Sequence, residues 1–371
     1  MKVAFWSSLS FIVFAYAGYP ILLYIRARYW PRPVRRANIT PTVTIVLAVH
    51  NEEQNLPVKL HNLAALDYPE DRLEVVVVSD GSTDETNNIL ASWKNQKRHI
   101  VVLPRHLGKA IALNSGVSEA HGEILVFVDA RQVVAPDALK NLVANFADPA
   151  VGCVSGELII GENVNSGFSG VGLYWRLEKT IRKWESCFGS TVGATGALYA
   201  VRRGLFVPIP ENTILDDVYI PLQVARQGQR VIFEPCAQVL DYQIASPGQE
   251  FRRKVRTLTG NYQLLQLAPW VLTRSNPLRL QFICHKLFRL LVPFGLAGVF
   301  ISTLSLRSGA YEFLFVFQLA FYALAAARPL GTKTSLLSKL SNIALAFVVL
   351  NAAAAVALIN FVTGRRVVWA R

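Results

Sequence analysis

The chain has 371 residues, 52% of them of apolar type, with a positive mean hydropathy; that is too apolar for an ordinary soluble enzyme and directs attention to membrane spans. Its formal net charge of +13 is spread along the chain. Arg26, Arg28, Arg32, Arg35 and Arg36 flank an apolar run, a placement that favours the anionic lipid face of a membrane over nucleic acid. The four cysteines, Cys153, Cys187, Cys236 and Cys284, lie at no metal-ligand spacing and read as small buried hydrophobes in a reducing compartment.

In chain order, Phe5–Ile25 is nearly continuous apolar sequence with no small-residue cleavage site after it, running directly into the Arg-rich patch. It predicts a retained span, within residues 1–30, whose C-terminal end is cytoplasmic; Pro20 should kink it. From residue 41 to 245 the pattern changes. Short β-branched runs, Pro41–Val49, Leu73–Val78, His99–Leu103 and Glu123–Val128, alternate with helical stretches at Glu52–Ala65, Thr83–Trp93, Lys109–Ala120 and Ala135–Phe146. That alternation predicts βαβ units and an α/β domain on a mostly parallel sheet, its strands apolar throughout because helices cover both faces. Ligands of such sheets bind at the C-terminal strand edge. Residues 246–285 are basic and amphipathic, and residues 286–371 carry three apolar blocks, Phe288–Leu306, Tyr311–Ala327 and Ile343–Val362, each near the ~20 residues a bilayer requires. The basic loop Arg328–Lys339 then falls on the cytoplasmic side, as the positive-inside rule asks, whereas Arg365, Arg366 and Arg371 fall outside, against it. The spans lack charges of the kind that mark an ion path, which disfavours a transporter.

The chemistry-bearing residues sit at the predicted element ends. Residues 78–86, Val-Ser-Asp-Gly-Ser-Thr-Asp-Glu-Thr, follow a buried strand and open a helix. Asp80 stands at the strand edge, Gly81 permits a tight turn, and Ser82 or Thr83 can cap the helix; a plain capping connection is the alternative. Val49-His50-Asn51-Glu52 brings a second acid to the same edge, and two acids on adjacent strand ends suit a site that accepts hydrogen bonds from a base or ribose. The fourth strand delivers Asp129 there, followed by Arg131, which could pair with phosphate in a bidentate contact. Gly193-Ala194-Thr195-Gly196-Ala197 lets a sugar or lipid phosphate approach the backbone, or is a close-packed turn. Asp216 and Asp217 open a helix, where two acids also suit the helix dipole.

Val-His-Asn-Glu followed by Ser-Asp-Gly-Ser-Thr-Asp, then Gly108-Lys109-Ala110 with Leu113-Asn114, then Asp129 and Asp216-Asp217, resembles glycosyltransferase family 2 over residues 41–260. The resemblance implies a GT-A-type nucleotide-sugar-binding domain in which Glu52 and Asp80 contact the donor nucleoside, Lys109 lies near the donor phosphates, and Thr195 and Gly196 border the acceptor. It implies that Asp129 holds a divalent cation, Mg²⁺ or Mn²⁺, on the diphosphate. Family members carry Asp-x-Asp there; this chain has Asp129-Ala-Arg131, so Asp129 is the one ligand from this motif. By the same resemblance Asp217 is the general base of an inverting transfer, with Asp216 tuning it. Processive members, such as cellulose and hyaluronan synthases, carry Gln-x-x-Arg-Trp near Gly260; here the segment reads Arg253-x-x-Arg256-Thr257, keeping an arginine that can neutralise the leaving diphosphate.

The expectation is a multi-pass protein of a bacterial inner membrane whose cytoplasmic domain moves a sugar from a nucleotide-diphospho-sugar, a UDP-sugar by resemblance, to a lipid-linked or glycan acceptor beside membrane lipid. A processive polysaccharide synthase, or a catalytically weak assembly partner that binds sugar nucleotide, are the alternatives.

Overall fold

The computed structural model describes residues 1–93, 97–160, 169–242, 247–306, 308–327 and 336–365. Eight strands, β1 Val43–Val49, β2 Leu73–Asp80, β3 Arg98–Leu103, β4 Ile124–Val128, β5 Val133–Val134, β6 Val151–Ile160, β7 Leu198–Arg202 and β8 Arg230–Asp241, form one sheet in the order β3-β2-β1-β4-β7-β6-β8-β5. β3, β2, β1 and β4 run parallel, as the alternating pattern predicts. The sheet then becomes mixed: β7 is antiparallel to both β4 and β6, β6 is parallel to β8, and β5 is antiparallel to β8. The domain is of the expected α/β class, with a parallel half and a mixed half.

Strand period 2 explains why the central strands carry no polar face. In β1, Val43, Ile45, Leu47 and Val49 enter one core, with Leu56, Leu60 and Leu63 of the helix Leu56–Ala64. Val46 and Ala48 enter the other, with Ala112 and Leu113 of the helix Lys109–Ser118. Each fully buried Val or Leu contributes about 1.5–3 kcal/mol, so a one-residue slip of β1 would cost several such terms at once. The segment 246–285 joins this second core: Leu264, Ala268, Val271 and Phe282 are buried in it. Its helix Pro247–Leu267 approaches so closely that a Cβ on Gly260 would lie 2.6 Å from Leu215 Cγ. That contact sets the helix against the residues immediately preceding Asp216.

Among the described residues, three helical stretches are long and apolar enough to cross a membrane, Lys2–Tyr29, Arg279–Leu306 and Leu337–Val362, and Ala310–Ala326 is a shorter apolar helix. Pro20 cannot donate to the preceding turn, and the stretch accommodates it with one π turn, Phe14–Gly18. The Arg279–Leu306 stretch begins earlier than the apolar block and takes in His285, Lys286 and Arg289, which are held by acids of the α/β domain. The cysteines are free, and only Cys153 is fully buried, so the buried reading fails for exposed Cys236. The basic residues at 328–335, Arg366 and Arg371 lie outside the described residues.

Candidate active site

Two loops at the C-terminal edge of β1 and β2 lock together through side chain to backbone hydrogen bonds. Asn51 adopts a left-handed conformation, φ 54°, which asparagine tolerates better than most residues. Its Oδ1 accepts from Thr83 N at 2.8 Å, and its own N–H donates to Ser82 Oγ at 3.1 Å. Glu52 N donates to Thr86 Oγ1 at 2.9 Å, and Asn55 Nδ2 donates to the Glu52 carboxylate at 2.7 Å. Glu52 stays partly exposed at this edge. Asp80 is fully buried, and its oxygens accept from Leu107 N at 2.7 Å and Gly108 N at 2.8 Å; His106 Nδ1 lies 2.8 Å away. Gly81 is required at the turn: its φ is +61°, and a Cβ there would collide with the Arg105 backbone. Asp80 therefore fixes the 106–108 loop, and that loop starts the helix carrying Lys109.

Lys109 joins the donor edge to the paired acids. Its Nζ lies 3.0 Å from Asp129 Oδ1 and 3.4 Å from Asp216 Oδ1. Burial alone would lower its pKa; Asp129, then Asp216 and Asp217, more than offset this and raise it well above the ordinary lysine value. Asp129, just past β4, is part-exposed and keeps carboxylate oxygen toward solvent. Asp216 and Asp217 open the helix Asp216–Arg226 as predicted. Asp216 is buried and accepts from Tyr199 Oη at 3.2 Å. Burial, followed by the Asp216 charge, pushes the Asp217 carboxyl up to about 6, against the pull of Lys109, Arg182 and Lys286. A carboxyl in that range, ionised at neutral pH yet basic enough to take a proton, suits general-base work.

The predicted acceptor residues lie against Asp217. A Cβ on Gly196 would sit 3.0 Å from Asp217 Oδ2, so glycine there lets the backbone pack against the carboxylate, and Asp217 stays partly exposed. Ala194 N donates to the Asp217 carbonyl at 2.7 Å. Thr195 is buried, tied through its N–H to Ser155 Oγ at 2.9 Å and through its Oγ1 to Arg182 Nη1 at 2.9 Å. Arg131 Nη2 lies 2.6 Å from Asp241 Oδ2 at the end of β8, an ion pair that ties the end of β4 to the far half of the sheet. Arg256 stands one turn before Gly260 on the same helix face, half-buried, with no hydrogen bond or ion pair among the described residues. Glu52, Asp80, Lys109, Asp129, Asp216 and Asp217 thus share one edge, whereas Arg131 points its guanidinium to Asp241.

The sequence reading missed a buried cluster beside this edge. Glu178, 5% exposed on the helix Ser169–Phe188, receives Arg289 Nη1 at 2.6 Å, His285 Nε2 at 3.1 Å, Lys286 Nζ at 3.3 Å and Arg182 Nε at 3.4 Å. Burial raises its carboxyl, but His285, Lys286 and Arg289 bring it well below the carboxylate range. Glu185, fully buried, accepts from Tyr19 Oη at 2.6 Å and lies 3.0 Å from His285 Nδ1. His285 and Lys286 at the head of an apolar run were the available signal, since ionisable residues entering a span mark function by default.

Among the described residues no group of three His, Cys, Asp or Glu could hold a metal ion alone.

Residues 44–207 match the family model described as Glycosyl transferase family 2. The chain is 26% identical over 230 residues to the poly-β-1,6-N-acetyl-D-glucosamine synthase of Staphylococcus aureus (strain COL), an alignment covering 60% of this chain and 55% of that protein. The chain thus spans about half the length of the curated relatives it matches. In fold it resembles mannosyltransferase PcManGT from Pyrobaculum calidifontis, solved with GDP-Man and Mn²⁺, with a TM-score of 0.74 and 24% identity over 96% of this chain and 98% of that one. Residues 44–207 thus carry a glycosyl transferase family 2 domain.

Proposed function

We propose that this transferase inverts the anomeric carbon as it moves a sugar from a nucleotide-diphospho-sugar to a hydroxyl acceptor at the membrane face, with Asp217 as the general base. The observation that carries the reading is the line Asp129–Lys109–Asp216 leading to Asp217, whose carboxyl is raised and partly exposed beside Gly196. The acceptor hydroxyl gives its proton to Asp217 as its oxygen bonds to the anomeric carbon. The bond from that carbon to the diphosphate breaks on the opposite side. Lys109 and Arg256 stabilise the leaving charge. A divalent cation held by Asp129 would neutralise the diphosphate when bound, and the PcManGT structure with Mn²⁺ supports that role. Glu52 and Asp80 make the nucleoside side of the donor site, Asp80 by holding the 106–108 loop. Arg131 meets a phosphate only by loosening from Asp241. Asp216, held by Tyr199, orients its neighbour. The N-terminal helix and the helices after residue 279 hold the domain at the cytoplasmic face.

A UDP-sugar donor is the first choice, because the staphylococcal relative is named as an N-acetylglucosamine polymer synthase. That relative also supports a second reading, processive polysaccharide synthesis. The full chain, purified in detergent, should release nucleotide from one member of a panel of UDP-, GDP- and dTDP-sugars, more so with Mg²⁺ or Mn²⁺. Turnover of no donor, or an Asp217→Asn variant as active as the parent, would refute the mechanism. Product length separates single transfer from polymerisation.

A further inference from the structure

The Glu178 cluster holds more cations than a structural ion pair requires. Three basic side chains, Arg182, Lys286 and Arg289, converge on Glu178 with contacts of 3.4, 3.3 and 2.6 Å, and the second buried acid, Glu185, is taken up by His285 and Tyr19. Like charges crowded in this way repel one another, and placing several partly buried cations around one acid is costly unless a further anion joins them. The neighbouring helix repeats the pattern. Arg253 and Lys254 share Glu250, and Lys254, stacked over the Trp175 ring at 4.9 Å, has its ammonium lowered to about 8 by burial. The cluster is not sealed: Arg182, Lys254 and Lys286 each keep roughly a seventh of their side-chain surface in solvent.

Position fixes what such an anion could belong to. Lys286 sits in a π turn, Ile283–Leu287, at the head of a stretch long and apolar enough to cross a membrane, so the cluster lies where that stretch leaves the α/β domain. It also reaches the acids. Arg182 donates to Thr195 Oγ1, the residue next to Gly196, which faces Asp217.

We propose that Arg182 and Lys286, with Lys254 and Arg289 around them, bind the phosphate of a membrane lipid that carries the acceptor hydroxyl, so that the phosphate anchors at the membrane face while the hydroxyl reaches Asp217. This rests on the transferase reading above and narrows its acceptor to a phosphate-bearing lipid. The phosphate takes no part in bond making; the hydroxyl proton passes to Asp217 as already described. Arginine and lysine side chains bound to phosphate oxygens are the strong charge-assisted contacts expected of such a subsite.

The test is direct binding to the full chain in detergent, with farnesyl phosphate, farnesol and inorganic phosphate as probes and UDP and GDP binding measured on the same samples. Farnesyl phosphate should bind at least about tenfold more tightly than either farnesol or inorganic phosphate, and Arg182→Gln or Lys286→Gln should each weaken it by about tenfold, the size expected for one charged hydrogen bond. Lys286→Arg should restore it, and the nucleotide Kd, serving as the control for folding, should move less than about twofold. Farnesol binding as tightly as its phosphate, or Lys286→Gln leaving the Kd unchanged, would overturn the proposal. Inorganic phosphate binding as tightly as farnesyl phosphate would assign the cluster to free phosphate and overturn the lipid. Failure of the parent chain to bind any nucleotide would count against the transferase reading instead.

Discussion

The loops at the ends of β1 and β2, proposed as the donor edge, and the cluster around Glu178 are built in opposite ways. At the donor edge, the 50–55, 80–86 and 106–109 segments satisfy one another: the backbone N–H groups of Asn51, Glu52, Thr83, Leu107 and Gly108 each find a side-chain oxygen. The site there is preformed by neutral and singly charged contacts. In the other region, Tyr19 and His285 reach Glu178 and Glu185 from a hundred or more residues away along the chain, and several charges are gathered at buried positions. The first region is organised to be rigid without ligand; the second gathers charge that an anionic ligand would complete.

The largest expected effect is at Asp217. Asp217→Asn keeps the shape and removes the base, so kcat should fall by about 10²–10⁴ while nucleotide affinity, measured by calorimetry, is retained. Next, Glu178→Ala should destabilise the folded protein by about 3–5 kcal/mol, because it strands several buried partners of one carboxylate; thermal unfolding in detergent measures it. A loss under about 1 kcal/mol would mean that the cluster is effectively solvated, and the contrast between the regions would disappear.

Lys109→Gln leaves Asp129 and Asp216 facing each other without their shared cation and removes a charge from the leaving group. A drop in kcat of roughly 10²–10³ is expected, read by nucleotide release. The smallest effect is a shift of pH dependence. Because burial and Asp216 raise the Asp217 carboxyl to about 6, kcat/KM should fall tenfold per pH unit below that point. Asp216→Asn removes the neighbouring negative charge, so the acid limb should move to lower pH. A limb unmoved by that change would place the titrating group elsewhere.

These two regions also differ in how far they could be read in advance. The donor edge follows from local pattern: β-branched runs give β1 to β4, and Asp80-Gly81, Gly108-Lys109 and Asp216-Asp217 sit at element ends where the turn chemistry is visible in a few consecutive residues. The strands β6 and β8 were harder. β6, Val-Gly-Cys-Val-Ser-Gly-Glu-Leu-Ile-Ile, mixes glycine and polar residues, and only its pairing with β8 makes it a strand. Arg131 shows the same limit, since its partner Asp241 is 110 residues away and arrives only once β8 is placed. The Glu178 cluster was hidden for the same reason. Its acids and Arg182 lie on an amphipathic helix, where a solvated face is the ordinary expectation, and His285, Lys286 and Arg289 sit at the head of an apolar block.

The account stands most directly on the stereochemistry of transfer. The anomeric configuration of the product, determined by NMR with the donor that the panel identifies, should be opposite to that of the donor sugar, because a single displacement assisted by Asp217 permits only inversion. A product with the donor's configuration would contradict the role assigned to Asp217 and the single-step mechanism built on it.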